Sequence, residues 1–238
     1  MLQISSKYKY SKKIIIALDY FDQYKAMQLI NCLDPKLYSV KIGNQMFILF
    51  GKKFIVKLKK LGFDIFLDLK FHDIPNTIFN AVSAVADLGV WMISVHISGG
   101  SKMLQSAKLA LKSFHKNAPL LIGITVLTSF ISHNLKEIGI NTSISKQVLN
   151  LSILAKENGL DGVVCPGEES TKIKKILGHK FKVISPAVRF NTLSVDDQNQ
   201  IITPELINQF NIDYIIVGRV VTASNDPMYT LNKIVSFL

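Results

Sequence analysis

Eight short runs of β-branched and apolar residues, spread along the whole chain and separated by longer amphipathic stretches, constrain the fold more than any other feature. The runs are Ile14–Asp19, Tyr38–Ile42, Asp64–Leu69, Met92–His96, Leu120–Val126, Gly162–Cys165, Lys182–Ser185 and Tyr214–Val217. Between them, apolar residues recur at helical spacing over stretches such as Gln45–Leu61, Ile78–Leu88, Lys102–Phe114, Ser145–Asn158 and Met228–Phe237. Strands that alternate with helices form parallel βαβ units. Eight such units in 238 residues predict a single α/β domain, a TIM (β/α)8 barrel over residues 1–238, with residues 1–12 as a short N-terminal extension. Leu61-Gly62, Asn158-Gly159 and Ile176-Leu177-Gly178 read as helix C-caps that lead into strands. A doubly wound open sheet is the alternative, but no G-x-G-x-x-G follows the first run. No linker or low-complexity segment breaks the pattern.

Composition narrows the setting. Hydrophobic residues make up 48% of the chain, enough for a sizeable core. Cys32 and Cys165 are the two cysteines, in no C-x-x-C or zinc spacing, which points to a reducing compartment. Asp19 cuts short the apolar run Ile14-Ile15-Ile16-Ala17-Leu18, which argues against a secretory signal. No apolar run approaches the roughly 18 residues of a membrane span. A soluble, cytoplasmic protein is the expectation, with no membrane partner. The net charge of +11 suits an anionic substrate, a nucleic acid or simply a lysine-rich surface. The lysines are scattered and no RNP-like aromatic signature accompanies them, so nucleic acid is not expected as a partner.

The densest chemistry lies in Asp68-Leu69-Lys70-Phe71-His72-Asp73-Ile74-Pro75-Asn76-Thr77, where the third apolar run gives out. Side chains at i and i+2 of a strand share a face, so Asp68 and Lys70 project together. Asp73 follows in the turn, and Pro75 stands where a helix would begin. A lysine held between two carboxylates stays protonated. One carboxylate is then left to press on whatever else binds, which is the layout of a proton donor beside an electrostatic lever. A surface ion-pair cluster at a strand end is the plainer alternative.

In a TIM barrel the active site lies at the C-terminal ends of the strands. Reading polar residues from those ends gives Asp19, Lys41, Asp68, Lys70, His96, Ser98, Thr128-Ser129, Ser185-Pro186, Arg189 and Gly218-Arg219. A purely structural barrel has no need of so many charged groups on one rim. Gly218-Arg219 and Arg189 follow the eighth and seventh strands, where barrels commonly bind phosphate. There a glycine admits the anion to backbone N–H groups and an arginine offers a two-pronged donor. His72 and His96 near two acids raise the thought of a metal site, but the acids are better used around Lys70.

The Asp68–Thr77 run resembles the signature of the orotidine 5′-phosphate decarboxylase family. So do Ala17-Leu18-Asp19, Lys41-Ile42-Gly43, His96-Ile97-Ser98-Gly99-Gly100, Val126-Leu127-Thr128-Ser129 and Val217-Gly218-Arg219, in order and over nearly the whole chain. The resemblance implies a homodimer of TIM barrels that converts orotidine 5′-monophosphate to UMP and CO2, the last step of de novo pyrimidine nucleotide biosynthesis, with no metal and no cofactor. It implies that Lys70 protonates C6 of the pyrimidine, that Asp68 faces the departing carboxylate, and that Lys41 and Asp73 complete an alternating charge array. Asp73 and Thr77 would enter from the partner subunit. Asp19, Lys41 and Thr77 would hold the ribose, and Thr128 and Pro186 the pyrimidine. Arg189, Gln198, Gly218 and Arg219 would hold the phosphate, under a lid formed by residues 187–200.

The chain departs from the family where Pro-Gly-Ile-Arg-Pro reads Pro186-Ala187-Val188-Arg189-Phe190, and where Gly-Arg-Pro reads Gly218-Arg219-Val220. Both arginines remain, so phosphate binding is expected to persist with modestly lower affinity. Some relatives on the same barrel, which share D-x-K-x-x-D, use magnesium on keto-sugar phosphates. The continuation Ile74-Pro75-Asn76-Thr77 favours the pyrimidine reaction over those, and a non-catalytic basic barrel that binds RNA is the rival of another class.

Overall fold

The computed structural model describes residues 13–186, 203–207 and 209–238. Eight parallel strands close on themselves in sequence order: β1 (Ile14–Ala17), β2 (Tyr38–Gly43), β3 (Ile65–Phe71), β4 (Met92–His96), β5 (Leu120–Ile124), β6 (Gly162–Val164), β7 (Lys182–Ser185) and β8 (Tyr214–Val217). Closure is made by β8 against β1, with Ile14 opposite Ile215 and Ile16 opposite Val217. The TIM barrel expected from the alternation is therefore the fold.

The helices between the strands are α1 (Gln23–Cys32), α2 (Asn44–Lys60), α3 (Pro75–Asp87), α4 (Gly100–Ala110), α5 (Ser132–Glu137), α6 (Ile144–Glu157), α7 (Ser170–Leu177), α8 (Pro204–Ile207), α9 (Arg219–Thr222) and α10 (Pro227–Val235). Their starts follow local chemistry. The Asp22 carboxylate accepts the Tyr24 N–H at 2.7 Å, Ser143 caps α6 through the Lys146 N–H, and Asp226 caps α10 through the Tyr229 N–H. Pro75 opens α3, where its fixed φ costs nothing and its missing N–H is not needed. At the other ends Gly62 and Gly178 take φ of +90° and +85°, the left-handed conformation that lets the chain leave α2 and α7 for the next strand.

Alternate strand residues divide the core in two. Ile15, Ala17, Phe66, Met92, Ile122, Ile184 and Ile216 pack together inside the barrel. Their strand neighbours Ile14, Ile16, Ile65, Leu67, Ile93 and Val183 join the larger apolar layer under the helices. Burying each of the larger of these side chains contributes about 1.5–3 kcal/mol.

At the opposite, N-terminal end, two aspartates tie neighbouring strands. Asp161, just before β6, accepts the Leu121 N–H at 2.8 Å and pairs with Lys108. Asp213, just before β8, accepts the Val183 N–H at 2.8 Å and pairs with Lys174 at 2.5 Å and Lys182 at 3.2 Å. Half-buried carboxylates with this many protein partners, at the end of the barrel away from the polar strand ends, are structural.

Candidate active site

At the C-terminal ends of the strands lies a cavity of about 400 Å³. Its charged and polar lining comprises Asp19, Lys41, Asp68, Lys70, Thr128 and Arg219, with Pro186 and Gly218 beside them. Seven of the eight strands or their immediate extensions contribute to the wall, and Ile124, Val164 and Ile216 give it an apolar floor.

The centre is built by an irregularity in β3. Leu67 pairs with Ile93 and Phe71 with Val95, so four steps along β3 match two along β4. The surplus is taken up as a bulge, and Lys70 within it has φ of +51°. For a residue with a side chain that conformation costs of order 1–3 kcal/mol and persists only when its surroundings impose it. The surroundings are visible: the Lys70 N–H donates to Ser94 Oγ at 2.9 Å, and Lys70 Nζ donates to Asp68 Oδ2 at 2.7 Å. Asp68 and Lys70 thus meet as their spacing predicts, but through a bulge rather than regular strand alternation.

Asp68 is 5% exposed and carries the densest set of contacts. Oδ1 accepts from Ser94 Oγ at 2.8 Å, while Oδ2 faces Lys70 and, at 3.7 Å, Lys41 Nζ. Burial pushes its carboxyl up, but Lys41, Lys70 and the hydrogen bonds from Lys70 and Ser94 outweigh that and hold it below the ordinary aspartate value. Lys41 also reaches Asp19 at 3.5 Å, so Asp19, Lys41, Asp68 and Lys70 form a chain of alternating sign.

Asp73 and Thr77 stand apart. Both are exposed, neither lines the cavity of its own chain, and the Asp73 carboxylate accepts the Ile74 N–H at 2.7 Å. Among the described residues no ion pair joins Asp73 to Lys70, so within one chain Lys70 has one carboxylate partner, not the two that the sequence suggests. Arg189 and Gln198, with Phe190 and the rest of residues 187–200, lie outside the described residues.

His96, at the end of β4, lies against His72 with ring centroids 5.4 Å apart. Burial, with His72 and Lys70 beside it, holds the His96 imidazole below its usual range against an opposing pull from Asp68. Among the described residues no three or more His, Cys, Asp or Glu side chains gather in a way that could hold a metal ion. Nor is any described helix long and apolar enough to cross a membrane.

Ser94 is the residue that reading the strand ends misses. It sits two positions before His96, inside an apolar strand, and its signal was a lone hydroxyl on the inward face of Met92-Ile93-Ser94-Val95.

A closed (β/α)8 barrel with a lysine–aspartate array around the buried Asp68 at its C-terminal mouth has the architecture of a TIM-barrel enzyme. A model described as Orotidine 5′-phosphate decarboxylase / HUMPS family matches residues 12–234. The chain belongs to that family. It is 55% identical over 223 residues to the orotidine 5′-phosphate decarboxylase of Buchnera aphidicola subsp. Acyrthosiphon pisum (strain 5A), covering 94% of each chain. It is 48% identical to the enzyme of that name from Pectobacterium atrosepticum, over 93% of this chain and 90% of the other. Among solved structures, the crystal structure of orotidine 5′-phosphate decarboxylase from Lactobacillus acidophilus superposes with a TM-score of 0.84 at 34% identity, over 95% of this chain and 99% of the other.

Proposed function

We propose that the cavity converts orotidine 5′-monophosphate to UMP and CO2 by stabilising a C6 carbanion electrostatically and protonating it from Lys70. The chain is an enzyme, a carboxy-lyase of pyrimidine biosynthesis. The observation that carries the mechanism is the 2.7 Å contact between Lys70 Nζ and the buried Asp68 carboxylate at the cavity wall.

In the reaction the C6–carboxylate bond breaks, its electron pair stays on C6 and CO2 leaves neutral. The pair lies in the ring plane, where the π system cannot absorb it, so charge must be stabilised by groups already in place. Asp68 beside the substrate carboxylate is repulsive before the bond breaks and indifferent to CO2 afterwards. At about 4 Å and an effective dielectric near 20, such repulsion is worth about 4 kcal/mol. The Lys70 ammonium faces the growing negative charge, then gives its proton to C6 and regains one from solvent.

The remaining roles follow the walls of the cavity. Asp19 and Lys41, 3.5 Å apart, hold ribose hydroxyls, and Thr128 and Pro186 border the pyrimidine. Gly218 and Arg219 receive the phosphate together with Arg189 and Gln198. Phosphate contacts far from C6 supply binding energy for orientation and closure.

A homodimer completes the site, with Asp73 and Thr77 reaching the partner's cavity. Their exposure and their absence from the cavity of their own chain support this. The setting is cytoplasmic, in keeping with Cys32 and Cys165 both being free thiols.

The test is the ultraviolet absorbance change of orotidine 5′-monophosphate with purified protein in EDTA, beside Lys70→Ala. Conversion to UMP by the wild type alone supports the reaction, its independence of metal and the role of Lys70 together. Absence of conversion, with turnover of a keto-sugar phosphate when magnesium is added, would overturn the reading.

A further inference from the structure

We propose that Ser94 is a positioning residue for this decarboxylation, clamping Asp68 and the bulged Lys70 into the arrangement in which they act; the inference rests on the reaction proposed above. One hydroxyl serves both. Ser94 Oγ donates to Asp68 Oδ1 at 2.8 Å and accepts the Lys70 backbone N–H at 2.9 Å. A serine hydroxyl has one proton and two lone pairs, so it is the smallest side chain that can do both at once.

Its place in the sheet explains why it is needed. Ser94 is the one residue of β4 between the pairs Leu67–Ile93 and Phe71–Val95, directly opposite the surplus residues of β3. Lys70 takes its left-handed φ there, and the Ser94 hydroxyl supplies the acceptor for the N–H that the bulge turns away from the ladder. By occupying Oδ1, Ser94 also fixes the carboxylate rotation that presents Oδ2 to Lys70 and Lys41. Ser94 is wholly buried and does not line the cavity, so it acts through the two residues and not on the substrate.

A group that sets the geometry of reacting residues without touching substrate affects the transition state more than substrate binding. Ser94→Ala leaves a buried N–H and a carboxylate oxygen without their partner. Loss of such a bond corresponds to a fall of about 10- to 100-fold in kcat, with KM changed by less than about threefold. Ser94→Thr, which keeps the hydroxyl, restores most of kcat, whereas Ser94→Val, of the same shape without it, does not.

The experiment is steady-state kinetics of the full chain and these three variants on orotidine 5′-monophosphate, with thermal unfolding of each. A wild type that turns over beside an equally fast Ser94→Ala would overturn this inference and leave the reaction standing. So would equal impairment of the Thr and Val variants, or a rise in KM alone. If none of the three variants folds, Ser94 is a residue of the fold and the inference is wrong. A wild type that does not decarboxylate the substrate sinks the reaction itself, an outcome read separately from the variants.

Discussion

Asp68 Oδ2 lies 2.7 Å from Lys70 Nζ on a residue that is 5% exposed, so the acid that would repel a substrate carboxylate is also the partner of the proposed proton donor. The two tasks respond differently to substitution. Asp68→Ala removes the repulsion and leaves Lys41 and Lys70 facing each other without the charge between them. The expected result is a fall in kcat of about 100- to 1,000-fold, the scale of losing one preorganised electrostatic group. KM for orotidine 5′-monophosphate should stay level or fall, and UMP, which has no carboxylate at C6, should bind no more tightly. A rise in KM with kcat unchanged would make Asp68 an ordinary binding group.

The hybrid-dimer test addresses Asp73. Lys70→Ala and Asp73→Ala should each be nearly inactive alone. If Asp73 serves the partner's cavity, a mixed dimer has one site with both lesions and one with neither. Mixing the two inactive proteins under conditions that exchange subunits should therefore restore activity, approaching a quarter of wild type for random pairing. Heterodimers that form but stay inactive would put Asp73 in the site of its own chain.

Much of this was legible in the sequence, for identifiable reasons. The bounds of β4, β7 and β8 match the apolar runs residue for residue because each run is short and rich in β-branched residues, with a polar or turn residue closing it at His96, Pro186 and Gly218. The end of β3 was not legible. The run read as a strand closes at Leu69, whereas the strand continues to Phe71 through a bulge that the alternation of Leu67-Asp68-Leu69-Lys70-Phe71 does not reveal. Nothing about a lysine in sequence marks a left-handed backbone, which arises from the mismatch between two strands. The start of α3 was half visible: helical periodicity begins at Ile78, but the helix begins at Pro75, where the proline signal stands. Ionisable groups at strand ends were easy to find, and all those from Asp19 to Arg219 that lie among the described residues line the cavity, except His72, Asp73 and His96. Ser94 was hidden because its function lies in hydrogen bonds to two residues far away in sequence.

The base of the barrel offers a control that separates stability from chemistry. Lys174 is 4% exposed, and its ammonium is held by Asp213 and by the His179 carbonyl at 2.9 Å. Asp213→Ala strands that ammonium and also frees the Val183 N–H. Breaking a buried pair from one side costs about 3–5 kcal/mol. The partial exposure of Asp213, 18% of its side chain, favours the lower end. For a chain of this size about 3 kcal/mol is a fall in Tm of about 6–12 °C. Activity per folded molecule at low temperature should match wild type, since Asp213 lies at the end of the barrel away from the cavity. A loss of kcat without loss of Tm would contradict the structural role.

His96 makes stability depend on pH in a stated direction. Its imidazole is held below the usual range in the folded chain, chiefly by burial and then by His72 and Lys70, with Asp68 pulling the other way. In the unfolded chain it takes up a proton near pH 6.5. Between that value and the lower folded one, the unfolded chain binds a proton that the folded chain does not, so stability falls as pH falls. The contribution is fully present above about pH 6.5 and is lost on acidification through the folded value. Tm measured from pH 7.5 to 5 should therefore decline more steeply for wild type than for His96→Gln, which cannot titrate. Parallel declines would mean that the folded protein tolerates a charged His96, and that its contact with His72 at 5.4 Å between ring centroids adapts to the charge.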